Sequence, residues 1–228
     1  MKTINFTHGS QYLPVAVLCA LMLNATSATS ATFITSKVNG DDQFKIYLSP
    51  VDPTTSPLPF QPEGFQYANG FGWDFTFTNT LLLPQTSAGT NYKDYWLNIW
   101  VQDVGGGGPD LLGDFQLTGV PGVTGGGSVA GCAFDNGLTR ILTNTGRWKV
   151  TKPLPLSSAP SPAGYPIWVS NYLPPWVVPT VVPTSLGLNG VAPWGPQPGI
   201  HPNARWITTT PANANNTEAW FSTHIRCP

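Results

Sequence analysis

Charge is scarce in this sequence: Asp, Glu, Lys and Arg make up 9% of it, against roughly 25% in ordinary soluble domains. With Lys2 set aside, nine cations face eleven anions, a balance of 9 − 11 = −2. No basic surplus exists, so nucleic acid, which is met first by a cationic face, is excluded as a partner. Glutamate occurs only at Glu63 and Glu218, and histidine only at His8, His201 and His224. Neither G-x-S-x-G nor H-E-x-x-H is present, and no histidine stands in a recognisable Ser, Cys or metal constellation. His224 reads as structural, and the chain reads as non-enzymatic. Helical periodicity is missing throughout, and prolines interrupt every later apolar run before it reaches the length of a membrane span.

Cysteine is rare as well. Lys2, the short apolar run Tyr12 to Leu23 and the small residues Ala25 to Ala31 have the build of a secretory signal peptide over residues 1–31. This predicts a single domain over 32–228 that is secreted, extracellular or at the cell surface, without a transmembrane segment. Cys19 leaves with the leader, and Cys132 and Cys227 remain. An even pair in an exported chain reads as a disulfide, within one chain or between two. Two thiols without histidines beside them make a poor metal set.

What the sequence has in quantity is glycine, proline and tryptophan: 24, 24 and 9 residues. Its centre is the stretch from Asn91 to Leu117, NYKDYWLNIWVQDVGGGGPDLLGDFQL. Tyr95, Leu97, Ile99 and Val101 point one way, and Trp96, Asn98, Trp100 and Gln102 the other. Gly105 to Gly108 then break the strand. Pro109 and Asp110 turn the chain, and Leu111 to Leu117 resumes as a second strand, so a central hairpin is predicted. Strands are also expected at Gln43 to Leu48 with Phe44, Ile46 and Leu48 inward, at Gly70 to Leu81, around Arg140 to Leu142 and Arg147 to Val150, at Ala204 to Thr208, and at Ala219 to Ile225. Val51 to Pro62 is a proline-rich loop. Residues 152–199 are too apolar for a linker and too rich in proline for a sheet interior. They predict an ordered excursion lying over the domain, with Trp168, Tyr172, Trp176 and Trp194 packed beneath it. Short strands joined by Gly- and Pro-rich connections make this an all-β antiparallel sandwich of the jelly-roll kind.

The order of DDQFKIYL, NYKDYWLNIWVQDVGG, LLGDFQL, ILTNTGRWKV, PWG, ARWIT and EAWFSTHI resembles the galactose-binding-domain-like β-sandwiches. These occur as accessory modules of secreted glycoside hydrolases and in many exported bacterial proteins. The resemblance covers most of residues 40–150 and 203–226. The family's middle strand runs G-x-N-x-L-x-V; here Gly89-Thr90-Asn91-Tyr92 is followed by an inserted Lys93-Asp94 before Tyr95. Members bind sugars, bind calcium or serve as spacers, so the resemblance implies a sandwich without choosing among those roles.

Trp96, Asn98, Trp100 and Gln102 form the candidate ligand face: indoles stack on a pyranose, and amides bond its hydroxyls. The same face also suits packing, beneath the excursion or against another subunit. No cofactor is expected, and a structural calcium at Asp41 and Asp42 is the single ion considered, since loop oxygens gather at a sandwich end. Aspartates at turns and strand ends equally serve their own backbone. Asn215-Asn216-Thr217 is an N-glycosylation sequon in a polar turn. The expected function is a carbohydrate-binding or surface-recognition module. Its rival is a structural subunit of an extracellular layer, filament or matrix. The expected partners are accordingly a glycan or copies of the chain itself.

Overall fold

The computed structural model describes residues 32–55, 68–72, 74–83, 94–104, 108–119, 131–151, 175–182, 187–191, 194–209 and 218–227. Residues 1–31, Trp73, residues 84–93, Gly105 to Gly107, Trp168, Tyr172 and the Asn215-Asn216-Thr217 sequence lie outside them. Twelve strands follow in chain order: β1 (Phe33–Asp41), β2 (Gln43–Ser49), β3 (Ala68–Phe71), β4 (Phe77–Leu82), β5 (Asp94–Gln102), β6 (Asp110–Thr118), β7 (Ala133–Phe134), β8 (Arg140–Leu142), β9 (Lys149–Thr151), β10 (Thr180–Val181), β11 (Ile207–Thr208) and β12 (Glu218–Arg226). No α-helix occurs among the described residues.

The strands form two antiparallel sheets packed as a sandwich. One runs β3-β2-β5-β12-β7, with β9 also on β12; the other runs β10-β11-β6-β1-β4, with β8 also on β6. The alternation in β5 sets the interior of the first sheet. Tyr95, Leu97, Ile99 and Val101 are all buried in the core. Register places Phe44, Ile46 and Leu48 of β2 beside Val101, Ile99 and Leu97, and Ala219, Phe221 and Ile225 of β12 on the other flank. From the opposite sheet Ile34, Val38, Leu81, Leu111, Phe115, Leu117, Ile141 and Ile207 close the same core.

Two predicted connections come out differently. β5 and β6 do not pair as a hairpin. β2 and β12 occupy both edges of β5, and the glycine-rich segment carries the chain across to the other sheet, where β6 pairs with β1. Gly70 to Leu81 is likewise not one strand. β3 ends on β2, and Gly72, whose φ of 108° lies where L side chains rarely go, turns the chain so that β4 pairs with β1. Phe75 stands 60% exposed in this crossing, while Phe77 packs edge-on against Phe44 at 5.4 Å.

Cys132 and Cys227 form a disulfide within the chain, with Cα atoms 4.0 Å apart. It sits one residue beyond the β7–β12 pairing of Ala133 with Arg226, and so rivets the terminal strand to the middle of the chain.

The described part of the proline-rich segment first runs beside β9, where Val177 bridges Val150, and its later residues cover the outer face of the second sheet. There Leu112, Val182, Ile200, Ala204 and Trp206 make a second apolar cluster, and Trp194 stacks on Trp206 at 4.5 Å. Proline offers no ladder donor, and side-chain amides add to the backbone bonds that hold this layer. Asn189 Nδ2 donates to the Gln197 and Ile200 carbonyls at 3.2 and 2.9 Å, and its Oδ1 accepts from Gln197 N at 2.8 Å. Asn39 Nδ2 donates to Gln197 Oε1 at 2.7 Å, tying the layer to β1.

Candidate functional site

The outer face of the first sheet is built in rows across β2, β5 and β12. Register sets Gln43 beside Gln102 and Glu218, Lys45 beside Trp100 and Trp220, Tyr47 beside Asn98 and Ser222, and Ser49 beside Trp96 and His224. The four residues named from the sequence therefore share one face but not one environment. Trp100 is 6% exposed; its Nε1–H donates to Glu218 Oε2 at 3.3 Å, and the Lys45 ammonium sits 5.3 Å from its ring centre. Gln102 donates to Glu218 Oε1 at 3.2 Å and accepts from Gln43 Nε2. Asn98 is fully buried, with its Nδ2 directed at the Trp96 carbonyl at 3.4 Å. Its Oδ1 and the Ser222 hydroxyl opposite find no hydrogen-bond partner.

Trp96 alone of the four opens onto a cleft of about 550 Å³. Its ring lies against His224, centroids 4.8 Å apart and planes 31° from parallel. His224 Nε2 meets Asp94 Oδ1 at 2.7 Å and His224 Nδ1 meets Asp135 Oδ1 at 2.8 Å. Both ring nitrogens are therefore engaged, each by a different carboxylate. The Arg226 guanidinium reaches Asp94 at 3.6 Å. Asp52 on the cleft wall accepts from Thr54 N and Thr54 Oγ1. The far wall is Arg147 and Lys149, two residues apart, both exposed and flanking the inward, buried Trp148.

His224 is the site residue that the sequence reading set aside as structural. Its signal was present: if Ala219, Phe221, Thr223 and Ile225 share the inner face, His224 must share the outer one. What was missing was the pairing of β12 with β5, which brings it to Trp96.

Asp41 and Asp42 lie at the other end of β5, near Asp103 and Asp110. Among the described residues no group of three or more carboxylate, imidazole or thiol ligands is placed to hold a metal ion. The carboxylates are turned to other partners: Asp42 Oδ2 accepts from Val104 N at 2.9 Å, Asp103 Oδ2 from Gly108 N at 2.6 Å, and Asp41 Oδ2 from Trp194 Nε1 at 3.1 Å. Burial pushes the Asp41 carboxyl up from 3.8 to about 6; the Trp194 bond opposes this, and the Asp42 and Asp103 charges add to it. Asp110, opposite Asp41 in register, is raised well above the ordinary value, first by burial and then by Asp41 and Asp103, against a hydrogen bond with Thr208.

Folded-state values above the unfolded ones mean that, between pH 3.8 and about 6, the folded protein holds more protons on Asp41 than the unfolded chain does. The stability contributed by these groups is therefore fullest in mild acid and is lost as pH rises through that window. Discounted for its solvent exposure, Asp41 accounts for about 1–2 kcal/mol. The thermal midpoint, followed by circular dichroism, should be a few degrees higher at about pH 5 than at about pH 7.5, and Asp110→Asn should narrow the gap. A midpoint that drops on acidification over this range would refute the assignment.

Among the described residues no helix is long and apolar enough to cross a membrane. No protein-family model matches the chain, and no curated protein and no solved structure matches it.

Proposed function

We propose that the protein is an exported, non-enzymatic carbohydrate-recognition sandwich whose binding site is the cleft at Trp96 and His224. The observation that carries this reading is the backing of Trp96. Its indole rests on an imidazole that two carboxylates hold from opposite sides, so the aromatic platform is rigid before any ligand arrives. Preorganised aromatic surface beside charged and hydroxyl side chains suits a sugar ring, which offers one apolar face and a rim of hydroxyls.

Trp96→Ala should weaken retention on a glycan array by roughly tenfold or more, equal to about 1.4 kcal/mol. The half-buried position should limit the cost in unfolding free energy to about 2 kcal/mol. Wild-type protein that retains no glycan, or a Trp96→Ala variant that binds as well as wild type, would overturn the reading. The exposed apolar side chains Phe75 and Val104, the latter bonded through its N–H to Asp42 at the opposite end of the sheet, favour the second reading, a subunit that assembles with copies of itself. Light scattering on the same samples separates the two, because assembly raises the mass with concentration.

A further inference from the structure

Charge in the cleft is unequally spoken for. All three of its carboxylates are engaged: Asp94 by His224 and Arg226, Asp135 by His224, and Asp52 by the backbone and hydroxyl of Thr54. Arg147 and Lys149 are not: among the described residues neither side chain makes a hydrogen bond or an ion pair. Their placement is fixed by the chain. Trp148 between them is buried in the core and donates to the Leu142 carbonyl at 3.1 Å, so its two neighbours are turned outward together. The Arg147 carbonyl is held by the Thr223 hydroxyl at 2.9 Å, and Lys149 pairs with Ser222, two residues before His224 on the same strand. The cleft thus carries as many cations as carboxylates, and among the described residues Arg147 and Lys149 are the charged groups in it whose side chains have no partner.

We infer that the ligand of this cleft is an anionic saccharide, with its ring on Trp96 and a carboxylate or sulfate group between Arg147 and Lys149. The inference rests on the glycan reading above and narrows it to acidic sugars. A planar guanidinium gripping two oxygens, with an ammonium beside it, suits either group. A neutral sugar would leave both cations without a counter-charge while occupying the space between them.

The test is a glycan array carrying neutral, carboxylate-bearing and sulfate-bearing saccharides, followed by calorimetry with the best acidic oligosaccharide and its uncharged counterpart (carboxyl reduced or sulfate removed). The acidic form should bind about tenfold tighter than the uncharged one, with an advantage that shrinks as salt is raised. Arg147→Gln with Lys149→Gln should remove that advantage while the thermal midpoint stays at the wild-type value, since both side chains are solvent-facing. Preference for the carboxylate or for the sulfate set identifies the group. Retention of neutral glycans alone, or an acid preference that survives the double substitution, overturns the inference and leaves the glycan reading standing. Retention of nothing on the array overturns both.

Discussion

Replacing Cys132 and Cys227 together with alanine should lower the unfolding free energy by about 4 kcal/mol and the thermal midpoint by about 10 °C. The bridge closes a loop of 95 residues, and in the chain-entropy account a loop of that length withholds about 4–5 kcal/mol of freedom from the unfolded state. Two features concentrate the effect. Cys132 is buried and packs into the main core, so its removal also loosens a filled site. β7, which the bridge clamps to β12, is two residues long and has little else to hold it. Urea titration of the double variant against wild type checks the value, with the oxidised protein treated with reductant as a second route to the same state. A loss below about 1 kcal/mol would mean that the strand pairing alone defines this end of the sandwich.

The second large effect is expected at Trp206. Its side chain is fully buried, stacks on Trp194 and forms the centre of the smaller apolar cluster with Leu112, Val182 and Ile200. Its backbone fixes the layer on both sides: Trp206 N donates to the Gly187 carbonyl at 2.6 Å, and Val182 N donates to the Trp206 carbonyl at 3.1 Å. Gly187 is required there, because a Cβ would stand 2.7 Å from Val181 Cγ1. Trp206→Ala removes a large buried ring and should cost about 3–5 kcal/mol. The damage should be local first. This cluster is separate from the main core, so hydrogen exchange should speed up at Val182 and Arg205 while the β5 and β12 amides keep their protection. Trp206→Phe is the informative contrast. The indole Nε1–H has no hydrogen-bond partner, so a smaller apolar ring forgoes a buried donor that contributes nothing. Its cost should stay near or below about half that of alanine. Equal losses for the two variants would show that apolar volume does not govern the site and that the indole itself is required.

The inward face of β5 was legible because alternation over Tyr95 to Val101 is a local property of the chain. The inward residues of β2 and β12 were legible for the same reason. The fate of Trp100 and Asn98 was not, because their neighbours are supplied by strands far away in the chain. Lys45 and Glu218, which close over Trp100, are brought there by the pairing of β2 and β12 with β5, and pairing leaves no mark in any single segment. The glycines after Val104 announced a change of direction without saying whether the chain folds back along β5 or crosses to the other sheet. Their freedom in φ permits both, and the occupied edges of β5 decide it. Arg147 and Lys149 could be read as ends of a strand-like run, but their sharing a wall with Trp96 depends on β9 lying against β12.

The crossing of successive strands between the two sheets bears on how the protein acquires its shape. β1 and β2, β3 and β4, and β5 and β6 are neighbours in the chain that part company in space, and the consecutive strands that do pair, β2 with β3 and β10 with β11, are joined by long connections. Sheet formation must wait for segments distant in sequence to meet, which is slow. β5 gains its second neighbour only when Glu218–Arg226 arrives from far along the chain. Until then β5 presents an unsatisfied edge, the kind of backbone row that pairs with another chain when left open.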